Sequence, residues 1–218
     1  MSSTPLNSET AAPAPPRTKQ ERRDQAERAL LDAASRLVAR RGVDQTSVAD
    51  VGAEAGYSRG LVNHHFGSKV VLLQRVARES QRGIVEIIDG LTGDPLELLV
   101  GLVRSYLTWV AREPEAARTF FALWGASLPE ESVVREVFVE FDRGIRAKLE
   151  TYVRSGQEDG TVRTDVDPAG AAAAITGMLR GTAAQLLVAP EAFALEVACT
   201  TCEQFVRRML AAPGEARR

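Results

Sequence analysis

Three groups of side chains in this 218-residue sequence can do chemistry. The first is the run from Thr46 to Lys69, TSVADVGAEAGYSRGLVNHHFGSK, which holds several hydroxyls, a guanidinium, an amide, a lysine and both histidines. The second is Cys199 and Cys202, the only two cysteines. The third is a central set of aromatic residues: Tyr106, Trp109, Phe120, Phe121, Trp124, Phe138 and Phe141.

The first group suits nucleic acid. Arg59 can grip guanine O6 and N7 with two N–H groups. Gly60 lets the backbone approach a duplex closely. Leu61 can touch a thymine methyl, and Asn63 can pair with adenine. Phosphates can be held by the Thr46 and Ser58 hydroxyls, the His64 and His65 rings, and Lys69. A metal or catalytic site built from both histidines is disfavoured, because neighbours on a helix diverge by about 100°. Cys199-x-x-Cys202 has redox or half-zinc spacing. Both sulfurs, however, fall on the apolar stripe Leu195, Ala198/Cys199, Cys202, Phe205/Val206 and Met209. Core or dimer-interface packing is therefore the preferred reading, with thiol sensing as the alternative. No metal and no cofactor are expected.

These groups need helices to place them. Helix 1 is expected over Thr18–Arg41, with an apolar stripe at Ala26, Leu30, Ala33, Leu37 and Val38 and a stop at Gly42. Ser47 with Asp50 can cap helix 2, which Gly56 ends. Ser58 can cap helix 3, which runs to His65. Gly67 breaks the chain, and Ser68 caps helix 4 over Lys69–Asp89. Two short helices around a glycine turn are the minimum unit for laying a helix in the major groove. Further helices are expected at Pro95–Arg112, Glu115–Ala126, Glu130–Gly156, Pro168–Ala189 and Glu191–Ala211. Residues 1–16, rich in Ser, Thr, Ala and Pro, read as a disordered arm. Lys19, Arg22, Arg23 and Arg17 beside that arm can reach a flanking groove or simply form a solvated helix start.

The segment TSVADVGAEAGYSRGLVNHHFGSK resembles the DNA-binding region of the TetR family of bacterial regulators. The matching positions are Thr46, Val51, Ala55, Gly56, Ser58, Gly60, Val62, His65, Phe66 and Lys69. Gly52 stands where the family usually has Ala, which predicts a looser helix 2. Tyr57 replaces a small aliphatic residue, and Asn63 replaces a frequent Tyr. The resemblance implies an all-α fold. An N-terminal three-helix helix-turn-helix domain (17–68) is joined by helix 4 (69–89) to a larger C-terminal helical ligand-binding and dimerisation domain (90–218). It also implies a homodimer on a palindromic, double-stranded DNA operator, released by a small molecule. Arg59 and Gly60 would then face bases, and His65 and Lys69 would hold phosphate.

The ligand cavity implied by the family lies among the middle helices, and candidates for its lining are Tyr106, Phe120, Trp124, Phe141, Met178 and Gln185. With no charge cluster in view, a largely apolar effector is expected. Small residues recur along the helix from Pro168 at Gly170, Ala174, Gly177, Gly181 and Ala184. Close helix-to-helix approach compensates for glycine's cost, either within the chain or in a dimer. The expected dimer interface is Gly177, Gly181 and Ala184, with Cys202, Phe205 and Met209.

The charges agree with this layout. Arg17–Lys69 carries ten Lys/Arg against seven Asp/Glu, and the stretch from Val70 onward carries seventeen against twenty-one. A basic first part on an acidic second part suits a protein that meets a polyanion at one end. No apolar run of membrane-spanning length is apparent, and no secretory start, so no membrane partner and a cytoplasmic location are expected. An enzyme is disfavoured, since no triad, metal-ligand cluster or phosphate loop is present. The remaining rival is a non-specific or architectural DNA-binding protein without a ligand.

Overall fold

The computed structural model describes residues 18–213. The arm expected over 1–16, and Arg17, lie outside the described residues. Those described form nine helices. α1 (Lys19–Arg41) starts at Thr18, whose hydroxyl accepts from the Glu21 amide while Glu21 returns a bond to the Thr18 amide. It stops at Gly42, whose φ of 80° suits glycine. The predicted stripe is buried: Ala26, Leu30, Ala33, Leu37 and Val38 all lie in the core. α2 (Val48–Ala55) carries the reciprocal Ser47–Asp50 cap and ends at Gly56 in the left-handed region. α3 (Arg59–Phe66) and α4 (Lys69–Asp89) are capped by Ser58 and Ser68 as read.

α5 (Pro95–Arg112), α6 (Pro114–Ala126), α7 (Arg135–Asp159), α8 (Pro168–Val188) and α9 (Leu195–Leu210) follow. Two expected starts were early. α7 begins at Arg135 instead of Glu130, because Ser132 and Arg135 close successive turns onto Pro129 and Ser132. α9 begins at Leu195 instead of Glu191, because the Ala192 amide closes a turn on Ala189 around Pro190. A single bridge, Val162 to Ala211, clamps the α7–α8 connection to the end of α9.

α5 is the hub of the larger half, packed on α7, α8 and α9. α1 and α4 both lean on α6, and the Thr119 hydroxyl of α6 donates to the Ser35 carbonyl of α1 at 3.0 Å. The buried cluster is continuous from Leu30 to Ala211, so α4 shares its core with both halves. α8 corrects one expectation: by length and hydropathy it could cross a membrane. In the fold it instead packs Ile175, Leu179 and Leu186 inward and holds an ion-paired Arg180.

Candidate nucleic-acid interface and effector cavity

The helix-turn-helix is held from beneath. Val51, Val62 and Phe66 are buried in the core, α2 packs on both α1 and α3, and Arg36 and Arg40 of α1 pair with Glu54 of α2 at 3.2 and 3.0 Å. Those two guanidinium groups hold the Glu54 carboxyl below its ordinary range. The turn itself is tight. A Cβ at Gly52 would lie 3.0 Å from the Tyr57 carbonyl oxygen and 3.2 Å from the Arg59 amide nitrogen. Gly52 therefore permits the close junction with α3, a role beside the helix-propensity cost expected of it. At Gly60 an added Cβ would meet only the Ser58 hydroxyl, at 3.7 Å. Nothing among the described residues requires glycine there.

Arg59, Gly60, Asn63 and His64 are exposed along α3, and Leu61 is half-buried. Ser58 is exposed, its hydroxyl accepting from the Leu61 amide at 3.2 Å. Lys69 reaches back from α4 to the Asp44 carbonyl at 3.4 Å, bridging the helix start to the α1–α2 loop. The first amides of α4 lie beside it, at the positive end of the helix.

Two expected phosphate ligands sit differently. Thr46 is only 2% exposed; its hydroxyl donates to the Gly42 carbonyl at 2.8 Å and its amide to Val43. It clasps the loop and offers no donor to solvent in this conformation. The His65 side chain is 3% exposed and faces α1, with Nδ1 3.9 Å from Glu27, which also pairs with Arg75 of α4. It sits where α1, α3 and α4 meet. Its spacing on a helix of eight residues places it on the inner side, beside Phe66. Sequence alone did not separate it from His64.

The larger half holds a small apolar cavity of about 30 Å³, room for about one water. Tyr106, Phe120 and Phe141 line it as expected. Burial pushes the Tyr106 phenol well above its ordinary pKa. Trp124 instead lines an adjoining outer groove, Gln185 is exposed with its amide on Gly181, and Met178 lines neither space. Eight lining residues were missed, among them Ile84 and Ile88 of α4, Thr176 and Arg180. The signal for Arg180 was available, since it is the one charged residue in the α8 sequence. It pairs with Asp142 of α7, and its guanidinium lies 5.1 Å from the Trp124 ring centre. An ion pair therefore borders a cavity expected to have none.

The small-residue face of α8 is open: a Cβ at Gly177 or Gly181 would meet nothing within 4 Å. Among the described residues, no intrachain contact fills the space at these glycines. Phe205 of α9 is 61% exposed, and Ala184 and Met209 are half-buried. Cys202 is different. It is 6% exposed, with its sulfur 3.7 Å from the Thr182 hydroxyl of α8, and so packs within its own chain. Cys199 is also buried, and burial raises its thiol above the ordinary pKa.

A capped helix-turn-helix with an exposed reading face, joined by one shared helix to a helical bundle with a cavity, defines a DNA-binding transcriptional regulator. Residues 30–76 match the family described as bacterial regulatory proteins, tetR family, and residues 95–211 match the BetI-type transcriptional repressor, C-terminal. The chain belongs to the TetR family of transcriptional regulators. It is 29% identical over 111 residues to the HTH-type transcriptional regulator BetI of Vibrio parahaemolyticus, covering 49% of this chain and 56% of that protein. The match thus spans little more than half of that relative's length. It is 30% identical over 146 residues to the HTH-type transcriptional repressor AcnR of Corynebacterium glutamicum, covering 63% of this chain and 69% of that protein. A Saccharomonospora viridis protein solved in complex with choline superposes with a TM-score of 0.74 at 22% identity, covering 87% of this chain and 100% of that one. At that identity the likeness speaks for the fold.

Proposed function

We propose that this protein is a ligand-responsive repressor in the cytoplasm that binds a palindromic operator as a homodimer and is released by a small molecule. One observation carries the reading. α4 contributes Ile84 and Ile88 to the cavity, and its first residues, Ser68 and Lys69, adjoin the reading helix. A ligand that favours a different setting of α4 shifts α3 with it. In a dimer two reading helices must lie about 34–36 Å apart to enter successive major grooves. A changed spacing lowers operator affinity, typically with a coupling of about 1–3 kcal/mol.

Bases would be read by Arg59 and Asn63, with Gly60 and Leu61 in close contact. Ser58, His64, Lys69 and the α4 amides would hold the backbone. Selection of bound fragments from random DNA tests this directly. A palindrome should emerge, preferred by about 10³ or more over random sequence. Arg59→Ala should cost about 1–3 kcal/mol and relax one base position, while Lys69→Ala should weaken every sequence alike and flatten the salt slope. Equal affinity for all fragments would favour the architectural DNA-binding protein instead.

A further inference from the structure

The residues around the cavity carry an unbalanced charge. Among the described residues, Arg180 is the only charged one lining the inner cavity. The adjoining outer groove is lined by Arg180 and Arg146, with no carboxylate. Asp142 lines neither space, yet it pairs with Arg180 and lies 4.0 Å from Arg146. Two cations therefore share one carboxylate; both line the outer groove, whose Gly177, Gly181 and Ala184 wall the proposed dimer would cover, and Arg180 also lines the inner cavity.

We propose that the cavity takes an amphipathic anion, with its tail among the apolar walls and a carboxylate-like head on Arg180. This deepens the effector reading above and rests on it. The guanidinium is built for the task. Its side chain is 14% exposed, and it is held over the Phe120 and Trp124 rings at 5.8 and 5.1 Å. Asp142 accepts from Nη1 at 2.9 Å and from Nη2. A guanidinium has five N–H donors in a fixed fork, so donors remain, the Nε–H among them. A second carboxylate can use them in the two-point geometry that arginine favours. With ligand bound, Arg180 and Arg146 would balance Asp142 and the ligand head. A cationic head would meet two arginines and no lining carboxylate. The tail has Ile84, Ile88, Phe141 and Ile145 as walls, which puts its contacts on α4. The inner space itself is about 30 Å³, room for about one water, so a tail enters only by parting these walls, and Ile84 and Ile88 would carry that displacement into α4.

Isothermal titration of the full chain with octanoate, octanol and octyltrimethylammonium tests this. Octanoate should bind about tenfold or more tighter than octanol, the gain expected of charge-assisted hydrogen bonds. Octyltrimethylammonium should bind most weakly. Asp142→Asn should tighten octanoate several-fold and leave octanol unchanged, because the guanidinium loses a competitor. If the pair were merely structural, that substitution would not favour octanoate. Arg180→Met combined with Asp142→Asn should erase the preference for octanoate without stranding a buried charge. Should the double variant fail to fold, Asp142→Asn alone still decides. Equal or tighter binding of the cationic probe, weaker octanoate binding in Asp142→Asn, or no heat from any probe at millimolar concentration overturns the proposal. Failure here with operator binding intact leaves the regulator standing. Octanoate binding, tightened in Asp142→Asn but with no loss of operator affinity, supports the site and overturns the effector reading.

Discussion

Glycine does opposite work at two neighbouring positions. At Gly52 the space for a methyl group is taken by backbone of the turn and of α3. Gly52→Ala gains about 0.5–1 kcal/mol of helix propensity but must push that backbone aside, at about 1–3 kcal/mol. A lower melting temperature is the expected result. At Gly60 the space is open, so Gly60→Ala should leave the fold as stable or raise it by about 0.5–1 kcal/mol. If DNA approaches the backbone there, the same variant should lose operator affinity about tenfold, close to 1.4 kcal/mol. Thermal melting and operator titration on both variants separate the roles. A Gly60→Ala protein with unchanged operator affinity would remove that residue from the interface. Both glycines were legible in the sequence as departures or motif positions. Only the packing around each says which one serves the fold.

Among the helices, α9 is held to α5 by charge as well as by apolar contact. Arg207 pairs with Glu97 at 2.6 Å, and Arg104 reaches Glu196 and Glu203 at 2.8 and 2.7 Å. The guanidinium beside each of Glu97 and Glu196 holds its carboxyl below the ordinary glutamate value of 4.5. A carboxyl depressed in the folded state contributes stability above its unfolded pKa and loses it as pH falls through the folded one. Hydrogen exchange in α9 should therefore quicken as pH drops below about 4.5, after correction for intrinsic rates. These pairs are exposed and screened by solvent, so the change in local opening should be small. High salt should reduce the effect. Flat protection of α9 from neutral to acid pH would mean that apolar packing alone holds the helix. The helix was legible from its stripe of Leu195, Cys199, Cys202 and Met209; its tether was not, because Glu97 and Arg207 are 110 residues apart.

At the scale of the whole molecule, one face of small and apolar residues is exposed among the described residues. Gly177 and Gly181 of α8 and Phe205 of α9 are all exposed. In the proposed dimer this face would be buried between subunits, with Ala184 and Met209 beside it. Phe205→Glu places a charge there without touching the core, so the monomer should keep its fold and melting behaviour. Light scattering should then report a monomer where the unaltered chain gives a dimer, and operator affinity should fall with dimerisation. An unchanged dimer would move the interface elsewhere. Cys202 does not belong to that surface, although its position on the apolar stripe suggested it. Stripes mark burial, but they do not say against which chain.

The local chemistry of this protein was set by sequence alone. Caps at Thr18, Ser47, Ser58 and Ser68, stops at Gly42 and Gly56, and the spacing from Thr46 to Lys69 specify the helix-turn-helix, because capping and turn formation act over only three or four residues. Tertiary packing decided everything that depends on distant partners. It turned His65 toward Glu27 while leaving His64 outside, closed the Thr46 hydroxyl onto Gly42, and set Arg180 beside Asp142 at the edge of an apolar cavity. Periodicity places a side chain on a face of its helix; which neighbour that face meets is fixed only when the helices assemble.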